Sequence, residues 1–344
     1  MDRRRVYLHV GLPKTGTTFL QGAMAEHRKA LKDAGVLYPE HGKEPMFRAA
    51  LDVRGNHKAW GRSRKEVEGT WDALCRKARS FDGTTLISHE LLAAAPARRA
   101  DAALSMLRGL DVHLVVTARD PARQVTAEWQ EGIKHGRKTS FADFRERILD
   151  RDLDHKHGRR FWAAQDLVDV LERWGAELPP ANVHVVCCPP PEADPGLLWR
   201  RFADVVGFDP AAFPPTGGGS NSSLGTVQID LLRRVNAALG DRLVQPAYGR
   251  TVKQYFTKRL LVRHPSPRPA LPVDMYDDLV DLGTQWVKAI DRAGYTVHGD
   301  PDALVPQPPE TAGPDPDDVD PHAEVETAAA VIADLLLEVH RLRG

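Results

Sequence analysis

Eight consecutive residues near the N-terminus, Gly11-Leu12-Pro13-Lys14-Thr15-Gly16-Thr17-Thr18, combine two glycines, a lysine and three threonines. They follow the apolar run Val6-Tyr7-Leu8-His9-Val10 and precede a stretch with helical spacing. A loop that leaves a strand and enters a helix points backbone N–H groups, and the positive end of the helix dipole, at one spot. Gly11 and Gly16 permit tight turns and close approach of a ligand. Lys14 adds a cation, and Thr15, Thr17 and Thr18 add hydroxyl donors. The chemistry is that of an anion cradle. In the nucleotide loop of ATP and GTP enzymes, G-x-x-x-x-G-K-[ST], the lysine directly follows the second glycine. Thr17 holds that place here, Lys14 stands two residues before Gly16, and no strand-borne aspartate for magnesium is evident.

Two further groups of residues have types and positions suited to chemistry. The run Leu114-Val115-Val116-Thr117-Ala118-Arg119-Asp120-Pro121 reads as a strand that ends in arginine and then opens a helix. Arg123 lies one helical turn further on, and Thr126 follows it. The alternative for Arg119 is an ordinary surface ion pair at a helix N-terminus. Ser88-His89-Glu90 stands at the end of another apolar run, Thr84-Thr85-Leu86-Ile87-Ser88. His89 titrates near neutral pH without help, and Glu90 is either a base itself or a partner that orients the imidazole. The alternative is that His89 caps the strand and Glu90 begins a helix. Weaker candidates for anion binding are the Gly217–Gly219 turn with Ser220-Asn221-Ser222-Ser223, and the basic residues Lys253, Lys258 and Arg259. Aromatic and polar residues at 36–41 and 56–60, with Trp129, Gln130, Lys134 and His135, are candidates for an acceptor pocket. His155 and His157 sit in a charged stretch, and no H-E-x-x-H or Cys/His ligand spacing is present, so no metal site is expected.

The segment Pro13-Lys14-Thr15-Gly16-Thr17-Thr18 resembles the 5′-phosphosulfate loop of the 3′-phosphoadenosine 5′-phosphosulfate (PAPS)-dependent sulfotransferases, whose common form is P-K-[ST]-G-[ST]-[ST]. The resemblance covers roughly residues 1–300 in architecture and the two motif regions in detail. It implies that Pro13, Lys14, Thr15, Gly16, Thr17 and Thr18 hold the phosphosulfate of PAPS, with Lys14 stabilising charge on the leaving phosphate. No metal is then required, because the leaving adenosine 3′,5′-bisphosphate is already a stable anion. It implies that Arg119 holds the 3′-phosphate. The family's second contact there is a serine eight residues later; Ala127 stands at that place here. Thr126 is its neighbour, about 100° round the helix from the expected face, and Arg123 offers a second cation. The family places its base where His89 and Glu90 stand, a histidine in many cytosolic members and a glutamate in several others; His89 is narrowly favoured. The lysine that many members carry two residues before the histidine is Ile87 here, and no clean match to the family's later R-K-G element is found. The implied activity is sulfuryl transfer to a hydroxyl or amine of a small-molecule, carbohydrate or other acceptor. The alternatives are a nucleotide kinase or NTPase, and a sulfotransferase-like protein that binds nucleotide without turnover.

The elements that must position these residues are legible in outline. The runs at 6–10, 84–88, 112–117 and 183–188 read as buried strands. Helical spacing covers 17–34, 64–79, 98–110, 121–135 and 160–174 between them. Strands alternating with helices imply an α/β fold with a central parallel sheet flanked by helices, which the resemblance narrows to a P-loop-like sulfotransferase architecture. From residue 224 onward the pattern is helical, with 224–239 and 273–293 clearest and a basic, aromatic stretch at 248–261. The expected organisation is a sulfotransferase domain at 1–299, a disordered Pro- and acid-rich linker at 300–322, and an amphipathic helix at 323–344. That helix, with Val325, Ala328, Ile332, Leu335, Leu336, Val339 and Leu342 on one side, either docks back or pairs with another chain as a homo-oligomer.

Composition excludes several classes. The 344 residues carry 47 Lys and Arg against 47 Asp and Glu, so no nucleic acid or other polyanion is expected as a partner. Cys75, Cys187 and Cys188 are too few and wrongly spaced for a disulfide framework and read as core residues. The first apolar run is too short for a leader, and no stretch reaches the roughly 18 apolar residues of a membrane span. A cytoplasmic location is expected.

Overall fold

A computed structural model describes residues 4–149, 155–216 and 224–343 of the chain. In chain order its elements are β1 (Arg5–His9), α1 (Thr17–Glu26), α2 (Arg28–Asp33), β2 (Val36–Leu37), α3 (Pro45–Arg54), α4 (Arg64–Val67), α5 (Thr70–Ser80), β3 (Thr84–Ser88), α6 (Ala97–Ser105), β4 (Asp111–Ala118), α7 (Pro121–Lys134), α8 (Phe141–Leu149), α9 (Lys156–Gln165), α10 (Leu167–Gly175), β5 (Val183–Cys187), α11 (Leu197–Val206), α12 (Thr226–Leu239), α13 (Tyr276–Ala293), β6 (Thr296–His298) and α14 (Pro321–Arg343). A π-helical run, Gly249–Leu260, precedes α13.

The six strands form one sheet in the order β2-β3-β1-β4-β5-β6, and every pairing is parallel. The inner strands are continuous apolar runs because a parallel sheet is covered on both faces. Leu8, Leu114, Val115, Val116, Val183 and Val185 are fully buried. The edge strands β2 and β6 are only two and three residues long, which limits the unpaired backbone that an edge presents. The chain moves from β1 out to β2, returns to β3 beside β1, and then crosses to β4 on β1's other side. Progress across the sheet therefore reverses between β1 and β4. In open parallel sheets, ligands bind outside the carboxyl ends of the strands at such a reversal.

Several expected helices are broken, each for a local reason. The 17–34 stretch divides at His27 into α1 and α2. The 64–79 stretch divides at Gly69, which adopts a left-handed φ of 76°. The 160–174 stretch divides at Asp166, whose carboxylate accepts the Val168 and Asp169 N–H groups and so caps α10. After residue 224 the pattern is helical as expected, except for β6, which is too short to show a period of two.

The chain forms two compact units. The first comprises Met1–Pro121, Arg159–Gly219 and Leu279–Pro306 and contains the whole sheet; the second comprises Ala122–Gly158, Ser220–Asp278 and Gln307–Gly344 and is helical where described. Within the second unit, the acid-rich segment expected as a disordered linker is anchored. The Asp317 carboxylate accepts the Phe141 and Ala142 N–H groups at 2.8 and 2.7 Å, capping α8. The Pro314 carbonyl accepts the Ala270 N–H at 2.9 Å. Side-chain and backbone acceptors hold this part of the segment, and nearer its start, in the first unit, Leu304 is fully buried. Cys75, Cys187 and Cys188 are buried. No described helix is long and apolar enough to cross a membrane.

Candidate active site

The loop after β1 is seated on β4. The Val10 N–H donates to the Val115 carbonyl (2.9 Å) and the Leu12 N–H to the Thr117 carbonyl (3.0 Å), so the chain stays paired beyond the strand before it turns. Gly11 is required here: a Cβ would lie 2.3 Å from Thr117 Oγ1, 2.6 Å from Thr17 Cγ2 and 2.7 Å from His9 Nε2. The turn into α1 places Lys14 at φ 70° and Gly16 at φ 82°. Glycine adopts this left-handed region readily, but lysine does so rarely and at a cost. Strain of this kind persists where surrounding contacts over-determine the backbone, and it clusters at functional sites. The first turn of α1 carries no acidic side chain, so nothing in it offsets the positive end of the dipole.

The three threonines divide by role. Thr15, 1% exposed, donates its hydroxyl to the Leu12 carbonyl at 2.6 Å and lies 2.6 Å from Thr117 Oγ1. Its side chain, expected to contact the anion, instead braces the loop from inside. Thr17 is buried and its hydroxyl hydrogen-bonds Glu90. Thr18 is exposed beside Lys14 and Gly16, both half-buried.

Beneath the loop lies a polar network that sequence reasoning missed. His9 Nδ1 is 2.8 Å from Ser88 Oγ, and its Nε2 is 3.1 Å from Thr117 Oγ1. The chain Ser88–His9–Thr117–Thr15 therefore ties the ends of β3, β1 and β4 to the loop. Burial lowers the His9 pKa to about 4, so the ring is neutral at pH 7. The available signal was a polar residue near the C-terminal end of each of three apolar strands.

His89 and Glu90 leave β3 beside this floor. His89 Nδ1 accepts the Leu91 N–H at 3.1 Å, capping the 3-10 turn Glu90–Ala94. A ring that accepts at Nδ1 carries its neutral proton on Nε2. Burial lowers the His89 pKa, opposed by Glu90 and reinforced by Arg54. Glu90 Oε2 accepts from Gln21 Nε2 at 3.1 Å and lies 3.6 Å from His89 Nδ1. Burial pushes Glu90 upward, but His89, its own N–H, Gln21 and Thr17 together hold it below the usual carboxylate range. The pair is thus an ionised carboxylate hydrogen-bonded to the first turn of α1 through Thr17, and an imidazole engaged as a cap. Phe47 lies 5.7 Å from the His89 ring and 5.4 Å from Trp60, which makes an aromatic wall next to the pair. Of the proposed acceptor residues at 56–60, Trp60 is in that wall; Phe47 was not legible.

Arg119 follows Ala118 at the end of β4, two residues beyond Thr117, whose carbonyl anchors Leu12. It is half-buried, and Asp120 beside it is buried. Pro13–Thr18, His89, Glu90 and Arg119 all belong to the first unit and to the carboxyl edge of β3, β1 and β4. Arg123 and Thr126 lie on α7 in the second unit, both half-buried. In that unit the acceptor candidates Trp129 and His135 have structural roles. Trp129 donates to the Thr139 carbonyl and packs edge-on against Phe141; His135 lies 3.0 Å from Glu131. Lys253 is ion-paired with Glu131 at 2.5 Å, and Lys258 and Arg259 are on an exposed face. The Gly217–Ser223 turn lies outside the described residues. Comparison of the chain with protein families, with curated proteins and with solved structures returns no match.

Proposed function

We propose that this chain is a sulfotransferase that moves a sulfuryl group from PAPS to a hydroxyl or amine of an acceptor. The observation that carries the reading is the left-handed Lys14, held in a Gly-flanked loop at the reversal between β1 and β4, with Arg119 leaving the next strand end. The position of Lys14 two residues before Gly16 favours a phosphosulfate over a nucleoside triphosphate, whose loop places lysine after the glycine.

In this reading Lys14 and the N–H groups at the start of α1 stabilise the negative charge that grows on the bridging oxygen as its bond to sulfur breaks. Fixed donors contribute most at that moment. Arg119 binds the 3′-phosphate. Glu90 takes the proton of the attacking hydroxyl as the new O–S bond forms, and later releases it to water. Sulfated acceptor and adenosine 3′,5′-bisphosphate leave. Although the sequence narrowly favours His89 as base, the geometry favours Glu90, because His89 Nδ1 is engaged by the Leu91 N–H. His89 then positions the turn that carries Glu90.

Calorimetric titration with adenosine 3′,5′-bisphosphate without magnesium, alongside ATP with magnesium, tests the proposal. Tight bisphosphate binding with little ATP binding is expected. The reverse would replace this reading with a nucleotide kinase, and bisphosphate binding with no transfer to a broad acceptor panel would leave a binding protein.

A further inference from the structure

Within the second unit α14 is held by one face only. Its Glu324 pairs with Arg234 at 2.7 Å, Val331 is 2% exposed, and Asp334 lies 3.2 Å from His264 Nε2. The opposite face is uncovered. Val325 is 68% exposed, Ile332 55%, Leu336 65% and Val339 43%, and Ala329 between them is also exposed. Positions 325, 329, 332, 336, 339 and 343 are spaced four, three, four, three and four residues apart, the seam of a two-helix coiled coil. Val325, Ala329, Ile332, Leu336 and Val339 form a contiguous apolar strip, ended at its sixth position by Arg343, and a strip of this kind marks an interaction surface.

We infer that α14 pairs antiparallel with α14 of a second copy of this chain, about a two-fold axis that crosses the exposed face between Ile332 and Leu336, level with position 334. The spacing reads the same from either end, so the antiparallel match sets 325 against 343, 329 against 339 and 332 against 336. Each layer recurs across the axis with partners exchanged, as a closed two-fold interface requires. Small Ala329 meets Val339, while Ile332 meets Leu336. Ala333 flanks the axis itself, where a small side chain lets the helices approach. Charge fixes the direction. The exposed Glu326 lies at one end of the seam and the exposed His340 and Arg343 at the other. Antiparallel pairing brings Glu326 beside the second copy's His340 and Arg343; parallel pairing would stack like charges. A helix built for a lipid surface has Lys and Arg along the flanks of its apolar strip, whereas this helix has no lysine and its two arginines, Arg341 and Arg343, are confined to the last turn.

The full chain is expected to sediment at twice its 38.1 kDa mass. Ile332→Glu with Leu336→Glu is expected to be monomeric with an unchanged circular-dichroism spectrum, since both side chains are exposed in the single chain, and to lose the concentration dependence of melting that association gives the wild type. Orientation is read by mild oxidation of variants with one added, exposed cysteine, the three native cysteines being buried. Ala333→Cys is expected to cross-link to its own copy across the axis. Ala329→Cys is not, because antiparallel pairing separates the two 329 positions by ten residues, about 15 Å along the helix. A monomeric wild type, a dimer that survives the double substitution, or cross-linking at 329 but not 333 would each overturn the inference. So would a monomer that binds anionic vesicles through the same face.

Discussion

At the scale of single residues, Lys14 separates stability from chemistry. Its side chain serves the proposed reaction while its backbone carries strain. Lys14→Ala and Lys14→Gly are both expected to lower turnover far more than nucleotide affinity, because the charge acts mainly in the transition state. The two should differ in stability. Glycine relieves the left-handed backbone, and the Gly variant is expected to be the more stable by about 1 kcal/mol, read from urea midpoints. A Gly variant less stable than the Ala variant would mean that residue 14 is not left-handed. Glu90 and His89 separate in the same way. Glu90→Gln is expected to lower turnover about 100-fold or more, whereas His89→Asn, which keeps a capping acceptor, is expected to retain most of it. The opposite ranking would return the base to His89. With Glu90 held below the usual carboxylate range, the rate is expected to stay level as pH falls and to drop only in strong acid. Lys14, Arg119, His89 and Glu90 could be singled out as candidates because each follows an apolar strand in a short run of telling residue types. The inward turn of Thr15 was not legible, since it depends on Thr117, which is distant in the chain.

At the scale of elements, the same limit explains what the sequence withheld. The inner strands were readable as apolar runs, but β2 and β6 are too short to show a period. The helix breaks at His27, Gly69 and Asp166 each turn on one residue. The floor of the site joins β3, β1 and β4 through contacts that no local pattern records. That floor makes a pH prediction with a definite sign. His9 is buried and neutral in the fold, with its pKa lowered to about 4, against about 6.5 in the unfolded chain. Between those values the unfolded state binds more protons. His9's contribution is therefore complete above about pH 6.5 and is lost as pH falls toward 4, about 3 kcal/mol in all. His184 adds to the same slope, its pKa lowered to about 4 by burial and by His113 and His298, which flank it at 2.9 and 3.2 Å. Urea unfolding of the wild type at a series of pH values from 7.5 to 4.5 should show this fall, and a His9→Asn variant a shallower one. An identical slope in the variant would assign the effect to the other buried histidines, His89 and the β4–β5–β6 group.

At the scale of the whole molecule, two compact units are assembled from interleaved stretches of chain, a division that a reading along the sequence places instead at residue 300. Charge was better served by composition. With 47 basic and 47 acidic side chains, the molecule has no net charge to gather anions at long range. Under the proposed function, discrimination between nucleotides must then rest on a few fixed cations at the sheet edge, and each should be separable by the phosphate it reads. In that proposal Lys14, with the loop and α1, is assigned to the 5′ side, and Arg119, at the end of the neighbouring strand, to the 3′ side. Arg119→Ala is therefore expected to weaken adenosine 3′,5′-bisphosphate by about 10- to 100-fold, the range of a charge-assisted hydrogen bond. Adenosine 5′-phosphate, which lacks the group Arg119 reads, is expected to bind the variant nearly as well as the wild type. Calorimetry with both nucleotides at one fixed ionic strength makes the comparison. Equal losses would mean that Arg119 contributes only general positive potential, and the 3′-phosphate would then need another partner.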